Sequence, residues 1–271
     1  MIPPSENHDR KWRVRLVLFL SLGIYALIML ALGTAWYSSQ WTSSFHLFND
    51  WPEWQQMDKV AHLFWTFHTC VLAARLFRWA KLGDPEASRA GALLGFFLVS
   101  GIEVFDGFSV AYGASLFDIL ANGAGALVFL GQQIFWKRIL VWPKFSFHPT
   151  SFAPLRPELL GDGFLEQVLK DYNGQTFWYS GHVPWLPLPR WLNLAVGIGA
   201  DGMIFGRVHQ NEAAQLHPDR KYFLSIDLDF SHVKTSSRAL GTFLYVVNII
   251  KVPAPTLEVS SRGLRFHWLY F

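Results

Sequence analysis

The first half of the chain alternates between long apolar runs and short polar stretches. Apolar runs cover residues 16–36, 60–79, 90–104 and 116–136. The first run has no charged residue and is long enough to cross the ~30 Å hydrocarbon layer as a helix. This pattern predicts a flexible tail over residues 1–11, followed by a membrane bundle of about four apolar helices over residues 12–138. The second and third runs are short for full spans.

Basic residues at the ends of these runs predict an orientation. Arg13 and Arg15 precede the first run, a basic cluster lies at 75–89, and Lys137 follows the last run, whereas residues 37–57 contain no Lys or Arg. Under the positive-inside rule, the first and the last residues of the bundle then both lie on the cytoplasmic side, which favours the inner membrane. The alternative is an outer-membrane location, with the first run acting as an export signal or anchor.

The second half follows a different pattern, in which apolar and polar residues alternate. Period-two alternation predicts strands over residues 176–183, 191–206, 222–231 and 264–270, and helical spacing predicts short helices over 163–170 and 238–250. The fold class is therefore α+β, with a small antiparallel β-rich domain of four or five strands over residues 143–271. An outer-membrane barrel is the alternative. Asp227 and Asp229 are expected on the solvated face of a strand, and a cation-binding pair is the alternative interpretation.

Composition narrows the functional classes. Of the 271 residues, 51% are hydrophobic and 16% are charged, against ~25% charged residues in typical soluble domains. This composition excludes a disordered chain and argues against an ordinary soluble enzyme. Cys70 is the single cysteine, so an internal disulfide is impossible. The net charge is +3, but the basic residues form no stripe with stacking aromatics, so no nucleic-acid partner is expected.

Seven polar residues are expected at one end of the bundle, where they interrupt or flank the apolar runs. They are Asp58, Lys59, His62, Glu103, Asp106, Asp118 and Asn122. Residues four apart share a helix face, so Asp58 lies above His62 and Asp118 above Asn122. Ionisable groups are costly in an apolar bundle and indicate a functional site by default.

The residue types leave the chemistry open. A histidine with two carboxylates and an amide suits a divalent metal, while His62 and Glu103 also suit a general acid–base pair. Lys59 and His62 could instead hold an anionic head group. The structural alternatives are an acidic helix start at Asp58 and Asp118, and an ion pair between Glu103 and Lys59.

The motifs resemble a family of unknown function. Residues 58–62 (DKVAH), 103–109 (EVFDGFS) and 115–122 (SLFDILAN) follow an order, DKxxH, then Glu, then DxxxN, that is similar to YfiM-type small lipoproteins and, more distantly, to VanZ-like membrane proteins. Residues 170–176 and 253–258 resemble larger Bacteroidetes-type members alone. The resemblance implies an envelope role and implies that His62, Glu103, Asp118 and Asn122 act together. Larger relatives tend to begin with a separate secretion signal, which this chain lacks.

Three functions follow as hypotheses, and the sequence does not decide whether the protein is an enzyme. The first is binding of a lipid, lipid-linked or phosphate-bearing head group of the bacterial envelope at the polar cluster. The second is a membrane-embedded hydrolase or transferase that acts on lipid head groups. The third is a structural or assembly partner at the outer membrane, in which the β-rich half binds another envelope protein. Membrane lipids are the expected partners in the first two hypotheses.

Overall fold

The chain divides into two compact units. The computed structural model describes residues 4–35 and 44–271. The helical unit comprises Met1–Trp51 and Ala61–Ile139, and the sheet unit comprises Pro52–Val60 and Leu140–Phe271.

Five helices lie in the part of the helical unit that the structure describes. They are α1 (Pro4–Ala35), α2 (Met57–Trp79), α3 (Asp84–Ser100), α4 (Ile102–Gly107) and α5 (Leu116–Trp136), and the first four residues of α2 are grouped with the sheet unit. Four helical segments in the described residues are long and apolar enough to cross a membrane, by length and composition alone: His8–Ala31, Trp54–Trp79, Asp84–Gly107 and Leu116–Trp136. They overlap the four predicted runs, and the third contains a helix break at Gly101.

Small residues bring α2 close to its neighbours. A Cβ atom placed on Gly91 or Gly95 of α3 would lie within 3 Å of the α2 backbone, and one placed on Gly125 of α5 would lie 2.4 Å from the Leu63 carbonyl oxygen. Such close approach through glycine is typical of helices that pack in an apolar environment.

The sheet unit contains one antiparallel sheet of six strands. They are β1 (Val141–Phe147), β2 (Gln175–Gly181), β3 (Leu192–Asp201), β4 (Asp219–Leu228), β5 (Ala254–Ser260) and β6 (Gly263–Tyr270), and each pairs with the next in chain order. Short helices lie between the strands: α6 (Pro157–Leu160), α7 (Phe164–Lys170), α8 (Val208–Ala213) and α9 (Arg238–Ile249). The α+β class and the four predicted strands are confirmed.

Two strands were not predicted, and both contain proline. Pro143 lies in β1, an edge strand, where a missing N–H group is tolerated. Pro255 lies in β5 at a register shift between Ala254 and Thr256, which removes the need for a regular hydrogen bond at that position.

The expectation of a solvated face at Asp227 and Asp229 is wrong. Both side chains are buried, at 1% and 7% exposure. Asp227 Oδ2 lies 2.7 Å from the Lys144 ammonium and accepts a hydrogen bond from the Ser180 hydroxyl. The carboxylate can therefore be buried because a cation and a hydroxyl replace the water it loses.

Candidate functional site

Four of the predicted polar residues meet in the helical unit. His62 is on the second turn of α2, Glu103 is at the start of α4, and Asp118 and Asn122 are one turn apart on α5. Ser115 caps α5 by accepting a hydrogen bond from the Asp118 backbone N–H, which fixes where this helix begins. The cluster therefore depends on the starts of three helices.

Asn122 organises the side chains around it. It is fully buried, its Oδ1 accepts a hydrogen bond from the Thr66 hydroxyl at 2.8 Å, and its Nδ2 donates to the Ser100 hydroxyl at 3.2 Å. These two bonds orient the amide, so that the oxygen faces His62 Nδ1 at 3.1 Å. Because a carbonyl oxygen only accepts, Nδ1 is the donor, and Nε2 of the neutral imidazole carries a lone pair.

Two carboxylates lie on the Nε2 side of the imidazole. Nε2 is 3.7 Å from Asp118 Oδ1 and 3.9 Å from Glu103 Oε1. Glu103 is 2% exposed, and its Oε2 accepts a hydrogen bond from the Ser115 backbone N–H at 2.9 Å. Its Oε1 has no hydrogen-bond donor among residues 4–35 and 44–271. Two carboxylate oxygens thus lie within 4 Å of the imidazole nitrogen.

This arrangement suits a cation. Ligands that share an ion through bonds of about 2.1–2.4 Å lie about 3–3.6 Å apart, and the two carboxylate oxygens lie only slightly farther than that from His62 Nε2, at 3.7 and 3.9 Å. Nitrogen with oxygen ligands is typical of first-row divalent metals. Metal-binding histidines also commonly donate their other N–H to an oxygen, as His62 does to Asn122.

The other three predicted site residues are Asp58, Lys59 and Asp106. Asp58 Oδ1 accepts a hydrogen bond from the Tyr172 hydroxyl at 2.7 Å, and Asp58 Oδ2 lies 2.9 Å from the Lys59 ammonium, all within the sheet unit. Asp106 is on α4, and its backbone oxygen accepts hydrogen bonds from Ser109 and Gly113 in the following turn. Lys59 thus has a carboxylate partner in Asp58, and an ion pair between Lys59 and Glu103 stays a prediction.

Hydroxyl groups in the cluster were missed by the sequence analysis. Thr66 lies four residues after His62, a spacing that could have indicated it, whereas Ser100 and Ser115 carry no such signal. The Ser115 hydroxyl also donates to Asp50 Oδ1 at 2.5 Å. Asp50 is brought there because residues 46–48 pair with Gly107 and Ala114 through backbone hydrogen bonds.

Comparison with known proteins associates this region with the cell envelope. Residues 47–130 match a family described as "Predicted periplasmic lipoprotein (DUF2279)", whose function is unknown. The matched range is less than a third of the chain, and it contains all seven predicted site residues. No curated protein matches the chain, and no solved structure does. The resemblance to an envelope family of unknown function is therefore confirmed at that level.

Proposed function

We propose that the protein binds the phosphate-bearing head group of an envelope lipid or lipid-linked molecule through a divalent cation. His62, Glu103 and Asp118 hold the cation, and Asn122 holds the imidazole. The observation that carries this proposal is that two carboxylate oxygens lie within 4 Å of His62 Nε2, and that one of them, Glu103 Oε1, is buried without a hydrogen-bond donor in the described ranges.

The position of the cluster supports a head-group ligand. The residues lie near the starts of α2 and α5 and at the end of the third apolar segment, Asp84–Gly107. In a bilayer, the ends of apolar helices lie at the level of the lipid head groups. Two buried carboxylates repel a phosphate, so an intervening divalent cation is the arrangement that makes binding favourable.

The proposal includes a location. The helical unit crosses the inner membrane with the cluster on the outward side, as the basic flanks indicate. An outer-membrane location remains the alternative, and a density-gradient separation of the two membranes decides between them. We also propose the finer relationship to YfiM-type and VanZ-like proteins, since the matched family model supports an envelope association only.

A membrane-embedded hydrolase or transferase is the second candidate. The same three ligands could activate a metal-bound water against a phosphoester, and Glu103 Oε1, 3.9 Å from His62 Nε2, is free of the hydrogen bonds that would hinder proton transfer in the described structure. Release of a phosphorylated head group from vesicles, lost in His62→Ala, would assign this reaction. Loss of function after disrupting β4, with the cluster intact, would instead support the assembly-partner hypothesis.

Metal and lipid titrations test the leading proposal. The purified full-length protein is placed in nanodiscs of phosphatidylcholine alone or with phosphatidylglycerol, and Mn²⁺ binding is followed by the loss of the free-ion EPR signal. We expect one tight site per chain, with Glu103→Gln and Asp118→Asn each weakening Mn²⁺ binding at least tenfold. Anionic phosphatidylglycerol should in turn tighten Mn²⁺ binding, because linked ligands strengthen each other equally.

The matched control removes a carboxylate elsewhere. Glu86 lies in the first turn of α3 and its side chain is 59% exposed, so Glu86→Gln should bind Mn²⁺ as the wild-type protein does. Equal Mn²⁺ affinity in the wild type, Glu103→Gln and Asp118→Asn would contradict the metal site. Tight Mn²⁺ binding with the same affinity in both lipid compositions would support the metal site but refute the head-group function.

A further inference from the structure

The sheet presents its apolar residues outward in rows that cross four strands. One row is Val196, Leu224, Leu257 and Phe266, and the next is Ile198, Tyr222, Val259 and Leu264. Apart from Ile198, which is half-buried, these side chains are 39–70% exposed. Since paired positions on one face are adjacent, we call these two rows the outer apolar face.

The opposite side of the same sheet is mainly polar, and it also carries a small buried cluster that includes Trp178 and Phe223. One row on this side crosses β2 to β6 and consists of Ser180, Ala195, Ser225, Thr256 and His267. Next to it the Lys144 ammonium lies 2.7 Å from Asp227 and donates to the Leu228 carbonyl oxygen. Lys144 is fully buried, so the inner side of the sheet encloses charge that is paired and hydrogen-bonded.

This polarity is the reverse of a sheet in water. A sheet with one solvated face buries its hydrophobic residues and exposes its polar ones. Polar residues inside and apolar residues outside, alternating along each strand, are the pattern of strands whose outer face contacts lipid. At about 100 Å² of exposed area each, the outer apolar face amounts to roughly 700 Å², above the ~300–600 Å² of the largest patch on a typical soluble monomer.

We infer that the outer apolar face lies against the acyl chains of a lipid leaflet. The two rows carry no charge, which matches hydrocarbon, and Tyr222 supplies the one hydroxyl. Six described strands are fewer than the eight of the smallest single-chain membrane barrels, so the contact is one-sided.

The short connection between α5 and β1 supports lipid as the contact of this face. This step rests on the membrane-spanning part of the proposed function. The fourth apolar helix ends at Trp136, and β1 begins at Val141. Four connecting residues reach at most ~14 Å, so β1 begins within that distance of the end of an apolar helix. A second apolar surface of the same unit lies on α9, where Leu240, Phe243 and Val246 are exposed.

Spin labels test the inference in the full-length protein. Single cysteines for labelling are introduced as Leu257→Cys and Phe266→Cys on the outer apolar face, with Trp185→Cys in a loop as the exposed apolar control. Leu27→Cys on α1 reports whether the helical unit is in lipid. Cys70 is buried, and the unmutated protein measures any background labelling. Collision rates with oxygen, which concentrates in lipid, and with a water-soluble nickel chelate are measured in nanodiscs.

The expected result is a ratio of oxygen to nickel accessibility several-fold higher at positions 257 and 266 than at position 185. If labels at 257 and 266 are more accessible to the nickel chelate, while the label at 27 is more accessible to oxygen, this inference is overturned. The proposal of membrane-spanning helices would then stand. Nickel-accessible labels at position 27 as well would refute both. Low accessibility to both reagents with spin–spin broadening would overturn it in favour of a second copy of the chain.

Discussion

Replacing Asn122 by alanine should weaken both the fold and the cation site. The amide makes three hydrogen bonds, to His62, Thr66 and Ser100, and it is fully buried. Hydrogen bonds between apolar helices contribute about 0.6 kcal/mol each on average in a membrane and about 1 kcal/mol in water. Three of them, with the small cavity left by the amide, predict a loss of about 2–4 kcal/mol in the free energy of unfolding.

The functional part of this prediction separates positioning from packing. Without the Asn122 oxygen, His62 loses the acceptor that orients its ring, and loss of such a partner typically costs 10–100-fold in metal affinity. Unfolding is followed by circular dichroism in mixed micelles of rising dodecyl sulfate content, and Mn²⁺ affinity by EPR. Leu127→Ala on the same helix, at a 69% exposed position, should change stability by less than about 0.5 kcal/mol. The reasoning is refuted if Asn122→Ala matches Leu127→Ala in both stability and Mn²⁺ affinity.

Three further predictions concern other parts of the molecule. Gly91→Ala should destabilise the helical unit by at least about 2 kcal/mol, because its new methyl group would overlap the Ala74 backbone. In the same denaturation assay, Gly23→Ala should be neutral or stabilising, because no atom lies within 4 Å of the position of its new methyl group. Burial, together with a neighbouring ammonium, lowers the pKa of Lys251 from 10.5 to about 8. Between pH 8 and pH 10.5 the unfolded chain therefore binds more protons than the folded chain, so the free energy of unfolding should rise by up to about 3 kcal/mol across this range. Denaturation curves of Lys251→Met taken over the same range should lack that rise. An equal rise in Lys251→Met would contradict the assignment to this residue. Asn211→Ala removes four side-chain hydrogen bonds to backbone groups at 204–207. Thermal unfolding of the sheet unit should therefore show that its free energy of unfolding falls by about 2–4 kcal/mol. An unchanged melting temperature would show that the loop at 204–207 does not depend on these bonds.

The cluster was predictable where its residues repeat on one helix. Asp118 and Asn122 are one turn apart, and the spacing alone puts them on one face of α5. Glu103 was predicted from its place at the end of an apolar run, and its contact with His62 depends on how three helices pack, which helical periodicity does not describe. Asp58 and Lys59 were predicted on the same grounds; they form an ion pair with each other, and Asp58 also accepts a hydrogen bond from Tyr172.

The sheet shows where sequence patterns reach their limit. Alternation located β2, β3, β4 and β6, because period two is a property of the strand itself. The same alternation does not say which face is buried, and the expectation of a solvated Asp227 assumed water outside the sheet. The Lys144 partner that allows this burial is 83 residues away in the chain, so only the folded arrangement reveals it.

Pulsed EPR of bound Mn²⁺ tests the central claim most directly. One equivalent of Mn²⁺ is added to the full-length protein in nanodiscs, and electron spin echo modulation from directly coordinated ¹⁴N is recorded for the wild type and His62→Ala. The account predicts nitrogen modulation from one imidazole in the wild type and its loss in His62→Ala. Nitrogen modulation of equal depth in both proteins, or no bound Mn²⁺ in the wild type, would contradict a metal centre at His62, Glu103 and Asp118.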